Sequence, residues 1–252
     1  MDCSKGDIMI SKNEVRYIRS LKQKKYRIRE GRFLAEGEKL VEDLILSGWI
    51  PDQIFSTNGF EIEGIAANEI SEREMDQITA LENASPVLAV FKIPDPEVIG
   101  SDEDLVLAMD GIRDPGNLGT ILRLADWFGV RTIICSDDTV DVFNPKVVQA
   151  SMGSLARVNV IYSDLNMKLE ELSSRGFSIL GTFMDGNSIY DEPRYSKAVL
   201  VMGNEGQGIS RSVETKIEHR VAIPRKGPTG PESLNVAMAT ALFLGEMRRP
   251  IV

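Results

Sequence analysis

The sequence predicts an α/β protein, a parallel sheet with helices on both faces, preceded by a smaller α/β unit. Three observations carry this prediction. Apolar runs of strand length, Ala198–Met202 and Arg220–Ile223 among them, each stop at a Gly or Pro and lead into a loop of small polar residues. Such runs alternate with helical stretches of about 10–15 residues. The stretch from Pro94 to Asp104 is acidic, contains Pro94 and Pro96 and has no periodicity, which divides the chain into residues 1–98 and 99–252.

The elements follow in order. Ser11-Lys-Asn-Glu14 is a capping box that opens a helix to about Lys24, with Val15, Ile18 and Leu21 on one face. Arg32–Glu36 reads as a short strand, Glu38–Leu46 as an amphipathic helix ended by Gly48, and Gln53–Ser56 as a strand. Ser71-Glu-Arg-Glu74 is a second capping box, opening a helix to about Leu81, and Val87–Ile93 is an apolar strand. In the second part, Leu105–Met109 is a strand, Asp110–Asn117 a loop, Leu118–Phe128 a helix and Thr132–Cys135 a strand. Asn144-Pro145 starts a helix to about Ser151, with Pro in its first turn. Val158–Tyr162, Ser178–Thr182, Ala198–Met202 and Arg220–Ile223 are strands, Asp164–Arg175 is a helix, and a polar helix-like segment precedes Arg220. Glu232-Ser-Leu-Asn235 supplies capping groups for a long terminal helix.

Composition excludes several classes. There is no run of 18 apolar residues, hence no membrane span, and no apolar signal core, so the expected location is cytoplasmic. Cys3 and Cys135 are too few for a disulfide framework, and the single His219 argues against a metal site. Net charge is −9, yet residues 1–32 hold ten Lys and Arg against four acids, a local +6 that leaves −15 for the remainder. A basic arm on an acidic body suits a phosphate backbone; the alternative is a solvated terminus. Arg16, Arg19, Arg29 and Arg32 are the candidates for phosphate contact.

Three loops carry candidate chemistry. Pro115-Gly116-Asn117 is a tight turn before a helix, so Asn117 reads either as its N-cap or as a site residue. Arg123 interrupts an otherwise apolar helical stretch and must reach a partner or solvent, which makes it a candidate for binding phosphate or carboxylate. In Gly203-Asn-Glu-Gly-Gln-Gly208 the glycines permit close backbone approach to a ligand. The spacing is not the dinucleotide fingerprint, and no Gly-Lys-Ser/Thr follows. Glu205 would repel phosphate and better suits a hydroxyl or a cation. Ser233 and Asn235 read as helix caps or as site residues. The small residues of the terminal helix permit close packing against another helix, within this chain or in a second subunit.

The order of NLGTILR, then VMGNEG, then IP followed by ESLNVA, spread over about Leu105 to Met247, closely resembles the three signature motifs of the SpoU (TrmH-like) RNA ribose 2′-O-methyltransferases. RFLAEGEKLVEDLI near the N-terminus resembles the ribosomal-protein-like RNA-binding domain carried by many members. The resemblance implies a C-terminal deep trefoil knot, an exception to the rule against knots. It implies S-adenosylmethionine as cofactor, a homodimer, and no metal. By motif position, Thr182, Gly203, Asn204, Gly206, Ile223, Pro224 and Leu234 would line the cofactor pocket. Asn117, Arg123, Glu205, Ser233 and Asn235 fall on the family's catalytic or substrate-positioning positions. The loop RKGPTGP after Pro224 is about two residues longer than the family pattern, and Arg225 and Lys226 stand where small or apolar residues are usual.

The family pattern gives the Arg the role of base, but a guanidinium with pKa above ~12 is a poor one. The expectation is that Arg123 holds a target phosphate, Asn117 orients Arg123, and Glu205 and Asn235 order the network. The expected function is 2′-O-methylation of structured RNA, ribosomal RNA ahead of transfer RNA. The other readings are a non-catalytic RNA-binding or ribosome-assembly protein of the same fold, and an unrelated nucleotide-binding α/β enzyme.

Overall fold

The computed structural model describes residues 10–227, 229 and 232–250. Cys3, the arm before Ile10, and Pro228, Gly230 and Pro231 of the Arg225–Pro231 loop lie outside the described residues. The chain forms two compact units. One runs to Asp95 and takes in Asp141–Ala156; the other comprises Pro96–Val140 and the residues from Arg157 onward.

In the first unit, α1 (Lys12–Ser20) opens with both halves of its capping box formed, Glu14 N–H to Ser11 Oγ and Ser11 N–H to Glu14 Oε2. It stops before Lys24, and a separate helix α2 (Lys24–Glu30) follows, ended by Gly31 at φ 61°. The break has a local cause. Arg27 Nη1 takes the carbonyls of Leu21 and Lys22, each at 2.8 Å, so these do not accept the next turn of α-helical bonds. Next come β1 (Arg32–Glu36), α3 (Glu38–Leu46), β2 (Pro51–Ser56), the small strands β3 (Glu61–Ile62), β4 (Ile65–Ala66) and β5 (Asn68–Glu69), α4 (Glu72–Ile78) and β6 (Val87–Lys92). The sheet order is β1-β6-β2-β5, antiparallel except for β2 with β5. Helix α4 forms its capping box but ends at Thr79, whose hydroxyl donates to the buried Glu36 carboxylate. Ile18, Leu21, Leu34, Phe55, Met75, Ile78 and Leu88 form the core.

The second unit begins with β7 (Leu105–Asp110), α5 (Pro115–Trp127) and β8 (Thr132–Cys135). The chain then contributes α6 (Pro145–Ser151), capped by Asn144, to the first unit, where Arg27 pairs with Asp141 at 2.5 Å and Phe143 packs on Phe33 at 4.9 Å. It continues with β9 (Asn159–Tyr162), α7 (Leu165–Ser174), β10 (Ser178–Ser188), β11 (Ala198–Gly203), α8 (Arg211–Glu214), β12 (His219–Ala222) and α9 (Val236–Met247). The expected polar helix after the glycine loop is thus only one turn long, and β10 runs past Thr182.

These strands form one parallel six-stranded sheet in the order β12-β10-β11-β7-β8-β9. Helices α7 and α8 pack over Val106, Ala108, Ile134, Ile179, Val199 and Val201. The twofold alternation of strands places Leu107, Met109, Leu200 and Met202 on the other face, where α9 contacts β11 and α5. From β7 the chain proceeds outward through β8 and β9, then crosses to β10 on the opposite side of β7 and fills the place between them with β11. The loops following β7 and β11 therefore emerge side by side at carboxyl ends, where open α/β sheets place their crevice.

Candidate active site

Each of three loops is held in shape before any ligand is considered. Gly203 ends β11, and a Cβ there would lie 2.3 Å from the backbone of Gly208 and Ile209, so only glycine fits. Asn204 braces the loop: its Oδ1 accepts the N–H groups of Gly206 (2.9 Å) and Gln207 (3.2 Å), and its Nδ2 donates to Gly111 O at 2.7 Å. The buried Asp110 carboxylate accepts the Ser210 N–H at 2.6 Å, tying the β7 loop to the β11 loop a second time.

At the start of α5, the N-cap is Asp114, which accepts the Asn117 N–H at 2.8 Å. Pro115 takes the first helical position, and the residue before a proline favours the extended conformation a cap needs. This corrects the reading of Asn117 as the cap and leaves its side chain available. Asn117 Nδ2 donates to Glu205 Oε1 at 2.6 Å, and Asn117 Oδ1 accepts from Asn235 Nδ2 at 2.9 Å. Asn235 is the N-cap of α9, its Oδ1 accepting the N–H groups of Ala237 and Met238. The cap bonds fix which way the Asn235 amide faces, that fixes the Asn117 amide, and Asn117 in turn orients Glu205.

Glu205 and Ser233 line a cavity of about 880 Å³. Thr182, Gly203, Asn204, Gly206, Ile223, Pro224 and Leu234 line it as well, so all the residues expected at the cofactor are gathered there. Arg123 is exposed on α5 and has no hydrogen-bond or ion-pair partner among the described residues. The expected contact between Asn117 and Arg123 is not formed; the asparagine serves Glu205 and Asn235 instead.

Sequence reasoning missed Phe183, Met184 and Arg220, which also line the cavity. Arg220 bonds Glu214 (2.5 Å) and Asp185 (2.8 Å), and its guanidinium lies 3.5 Å from the Phe183 ring centre. The bond to Arg220 holds the Asp185 carboxyl below its ordinary range. No signal in the sequence marks this cluster.

The cavity suits S-adenosylmethionine. Its walls combine apolar side chains, Ile223, Leu234 and Phe243 among them, with a glycine loop that ligand atoms can approach closely. Its charged lining is Glu205, Glu214 and Glu232 against Arg220 and Arg225, a balance that favours a cation such as a sulfonium. Among the described residues no group of His, Cys, Asp and Glu is arranged to hold a metal. Burial pushes the Cys135 thiol up, which makes it inert at neutral pH.

In the first unit the arginine candidates divide. Arg16 and Arg19 are exposed and have no partner among the described residues. Arg29 bonds Glu30 and lies over the Tyr26 ring, and Arg32 pairs with Asp52. Arg27, counted in the basic arm, is 2% exposed and structural. No helix among the described residues is long and apolar enough to cross a membrane.

Comparison with known proteins agrees with this geometry. Residues 104–245 match the SpoU rRNA Methylase family, and residues 12–89 match the MRM3-like substrate binding domain. The 23S rRNA (guanosine(2553)-2′-O)-methyltransferase RlmP of Bacillus subtilis is 32% identical over 236 residues, spanning 91% of this chain and 94% of the relative. A TrmH-family structure from Porphyromonas gingivalis superposes with TM-score 0.84 at 39% identity, covering 96% of this chain and 99% of that one. The AdoMet-bound rRNA methyltransferase of Sinorhizobium meliloti superposes with TM-score 0.84 at 31% identity, covering 96% and 97%. The relatives define the class as an RNA methyltransferase, on an α/β fold with a cavity at the carboxyl ends of a parallel sheet. The chain belongs to the SpoU rRNA methylase family.

Proposed function

We propose that this chain methylates a ribose 2′-hydroxyl of ribosomal RNA. Family membership carries the reaction class, RNA ribose 2′-O-methylation, with S-adenosylmethionine as donor. The observation that carries the reading in this chain is the Glu205–Asn117–Asn235 relay, which reaches from the first motif loop to a carboxylate lining a cavity built from the second and third motif loops.

When bound, S-adenosylmethionine supplies an electrophilic methyl group on a sulfonium. Thr182, Gly203, Asn204, Gly206, Ile223, Pro224 and Leu234 hold it. Glu205 Oε1 is occupied by Asn117, and Oε2 has no partner among the described residues, so it can accept a hydrogen bond from the attacking 2′-hydroxyl. That bond orients the hydroxyl and assists loss of its proton. Ser233, on the same cavity, offers a hydroxyl to the nucleotide beside the Glu205 carboxylate. Arg123, exposed and without a partner among the described residues, holds a phosphate of the target strand as a fork rather than as a base.

Ribosomal RNA is favoured over transfer RNA by the match of residues 12–89 to a substrate-binding domain and by the relative RlmP, named for 23S rRNA. Arg16 and Arg19 supply phosphate contacts from the first unit, with Arg29 and Arg32 needing to exchange partners first. We further infer a homodimer, a knotted C-terminal region and a cytoplasmic location. The dimer reading is supported by exposed apolar residues on two adjacent helices, Trp127 on α5 (84%) and Met238 on α9 (64%). The test is a map of 2′-O-methyl marks on ribosomal and transfer RNA with and without the gene. A mark lost only from ribosomal RNA supports the reading; a mark lost only from transfer RNA refutes the substrate.

A further inference from the structure

Strand β10 leaves its ladder with β12 at one place. Thr182 and Asn187 both stand opposite Val221, so Phe183 to Gly186 form a strap outside the regular pairing. Phe183 packs on the sheet core, and the guanidinium of Arg220 covers its ring at 3.5 Å. Arg220 Nη2 donates to Asp185 in the strap at 2.8 Å, and Nη1 donates to Glu214 of α8 at 2.5 Å. A Cβ on Gly186 would lie 2.7 Å from the Val221 backbone, so the strap closes tightly onto β12. Phe183, Met184, Glu214 and Arg220 all line the cavity, and Met184 is exposed there.

We propose that Arg220 is a positioning residue for the cofactor, fastening the strap Phe183–Gly186 so that Phe183 and Met184 form one wall of the binding cavity. The proposal rests on the reading of that cavity as the S-adenosylmethionine site. Two ion pairs and a ring contact meet on one guanidinium, so its loss releases the strap at two points, Asp185 and Phe183, and breaks its tie to α8 through Glu214. Phe183 and Met184 line the cavity, whereas Asn117, Arg123 and Asn235 do not, so the loss falls on cofactor affinity and on KM for the cofactor, not on kcat.

The experiment is calorimetric titration of the full chain with S-adenosylmethionine and, separately, S-adenosylhomocysteine, for wild type, Arg220→Lys, Arg220→Met and Asp185→Asn. Arg220→Met is expected to weaken both ligands about tenfold, and Arg220→Lys, which keeps the charge, by about threefold or less. Raising salt from 0.1 to 1 M is expected to weaken wild-type binding more than binding by Arg220→Met. Equal affinities for wild type and Arg220→Met overturn the proposal. If Arg220→Met does not fold, Asp185→Asn decides, since it removes the charge that Arg220 pairs with in the strap and leaves Glu214 and Phe183 in place: about threefold weaker binding supports the proposal and unchanged binding overturns it. Absence of binding by the wild type, with RNA present, would instead overturn the reading of the cavity.

Discussion

Asn235 donates to Asn117 across 118 positions of sequence, in a 2.9 Å bond that joins the cap of α9 to the first turn of α5. The same asparagine caps its own helix through Oδ1, so one side chain both starts α9 and sets the amide that orients Glu205.

These two roles can be separated. Asn235→Asp keeps an oxygen for the Ala237 and Met238 N–H groups but loses the donor to Asn117. Its melting temperature is expected to stay near wild type while kcat falls about 10- to 100-fold. Asn235→Ala should lose the same activity and also about 1 kcal/mol of stability. Thermal melts with a labelled-cofactor assay distinguish them, and full activity in Asn235→Asp would remove the relay from the mechanism.

Arg27 is the residue whose role composition hid. Its guanidinium is buried, satisfied by Asp141 and by the carbonyls of Leu21 and Lys22. Arg27→Ala would leave Asp141 and two carbonyls unpaired, and is expected to cost about 3–5 kcal/mol in chemical denaturation. Arg16→Ala, on the exposed side of α1, is expected to change stability by less than about 0.5 kcal/mol.

Arg16 and Arg19 should be felt in RNA binding instead. For Arg16→Gln with Arg19→Gln, the slope of log affinity against log salt is expected to become shallower by up to about 1.4. Arg32→Gln, whose wild-type side chain must first leave Asp52, should change that slope by less than either Arg16→Gln or Arg19→Gln alone. Filter binding over a salt series checks both, and an unchanged slope in the double variant would remove α1 from the RNA surface.

Glu36 gives a pH prediction. Burial raises its carboxyl above the ordinary 4.5, opposed by bonds from Thr79 and the Ala80 N–H. For an acid whose folded pKa is raised, the folded state favours the protonated form. The contribution to stability is therefore full below 4.5 and is lost as pH rises through the folded pKa. Glu36→Gln removes that titration. The melting temperature of the variant relative to wild type is expected to climb as pH rises from 4.5 toward 7. A difference constant with pH would contradict the assignment.

What the sequence disclosed and what it hid have physical reasons. Buried parallel strands read as continuous apolar runs, so Leu105–Met109, Thr132–Cys135 and Ala198–Met202 were legible. The two capping boxes were legible because each is closed within four residues. The break between α1 and α2 was not, because it depends on Arg27 folding back onto the carbonyls of Leu21 and Lys22 while pairing with Asp141. The motif order pointed to the cavity lining from Gly203 to Leu234. It could not show that Asp114 rather than Asn117 caps α5, since both types cap well and the choice turns on Pro115. The strap at Phe183–Gly186 was invisible because it is made by residues 35 apart, Arg220 and Asp185, neither in a motif.

The central claim is that this site moves a methyl group onto a ribose 2′-oxygen of ribosomal RNA. The most direct measurement incubates the purified chain with S-adenosylmethionine labelled in its methyl group and with ribosomal RNA lacking the modification, followed by alkaline hydrolysis. Alkali cleaves RNA through the free 2′-hydroxyl, so a 2′-O-methyl nucleotide survives within a dinucleotide. The account predicts label in alkali-resistant dinucleotides, lost in the Gly203→Ala control, where the added Cβ collides with the Gly208 and Ile209 backbone. Label recovered in mononucleotides, which is methylation of a base, would contradict it.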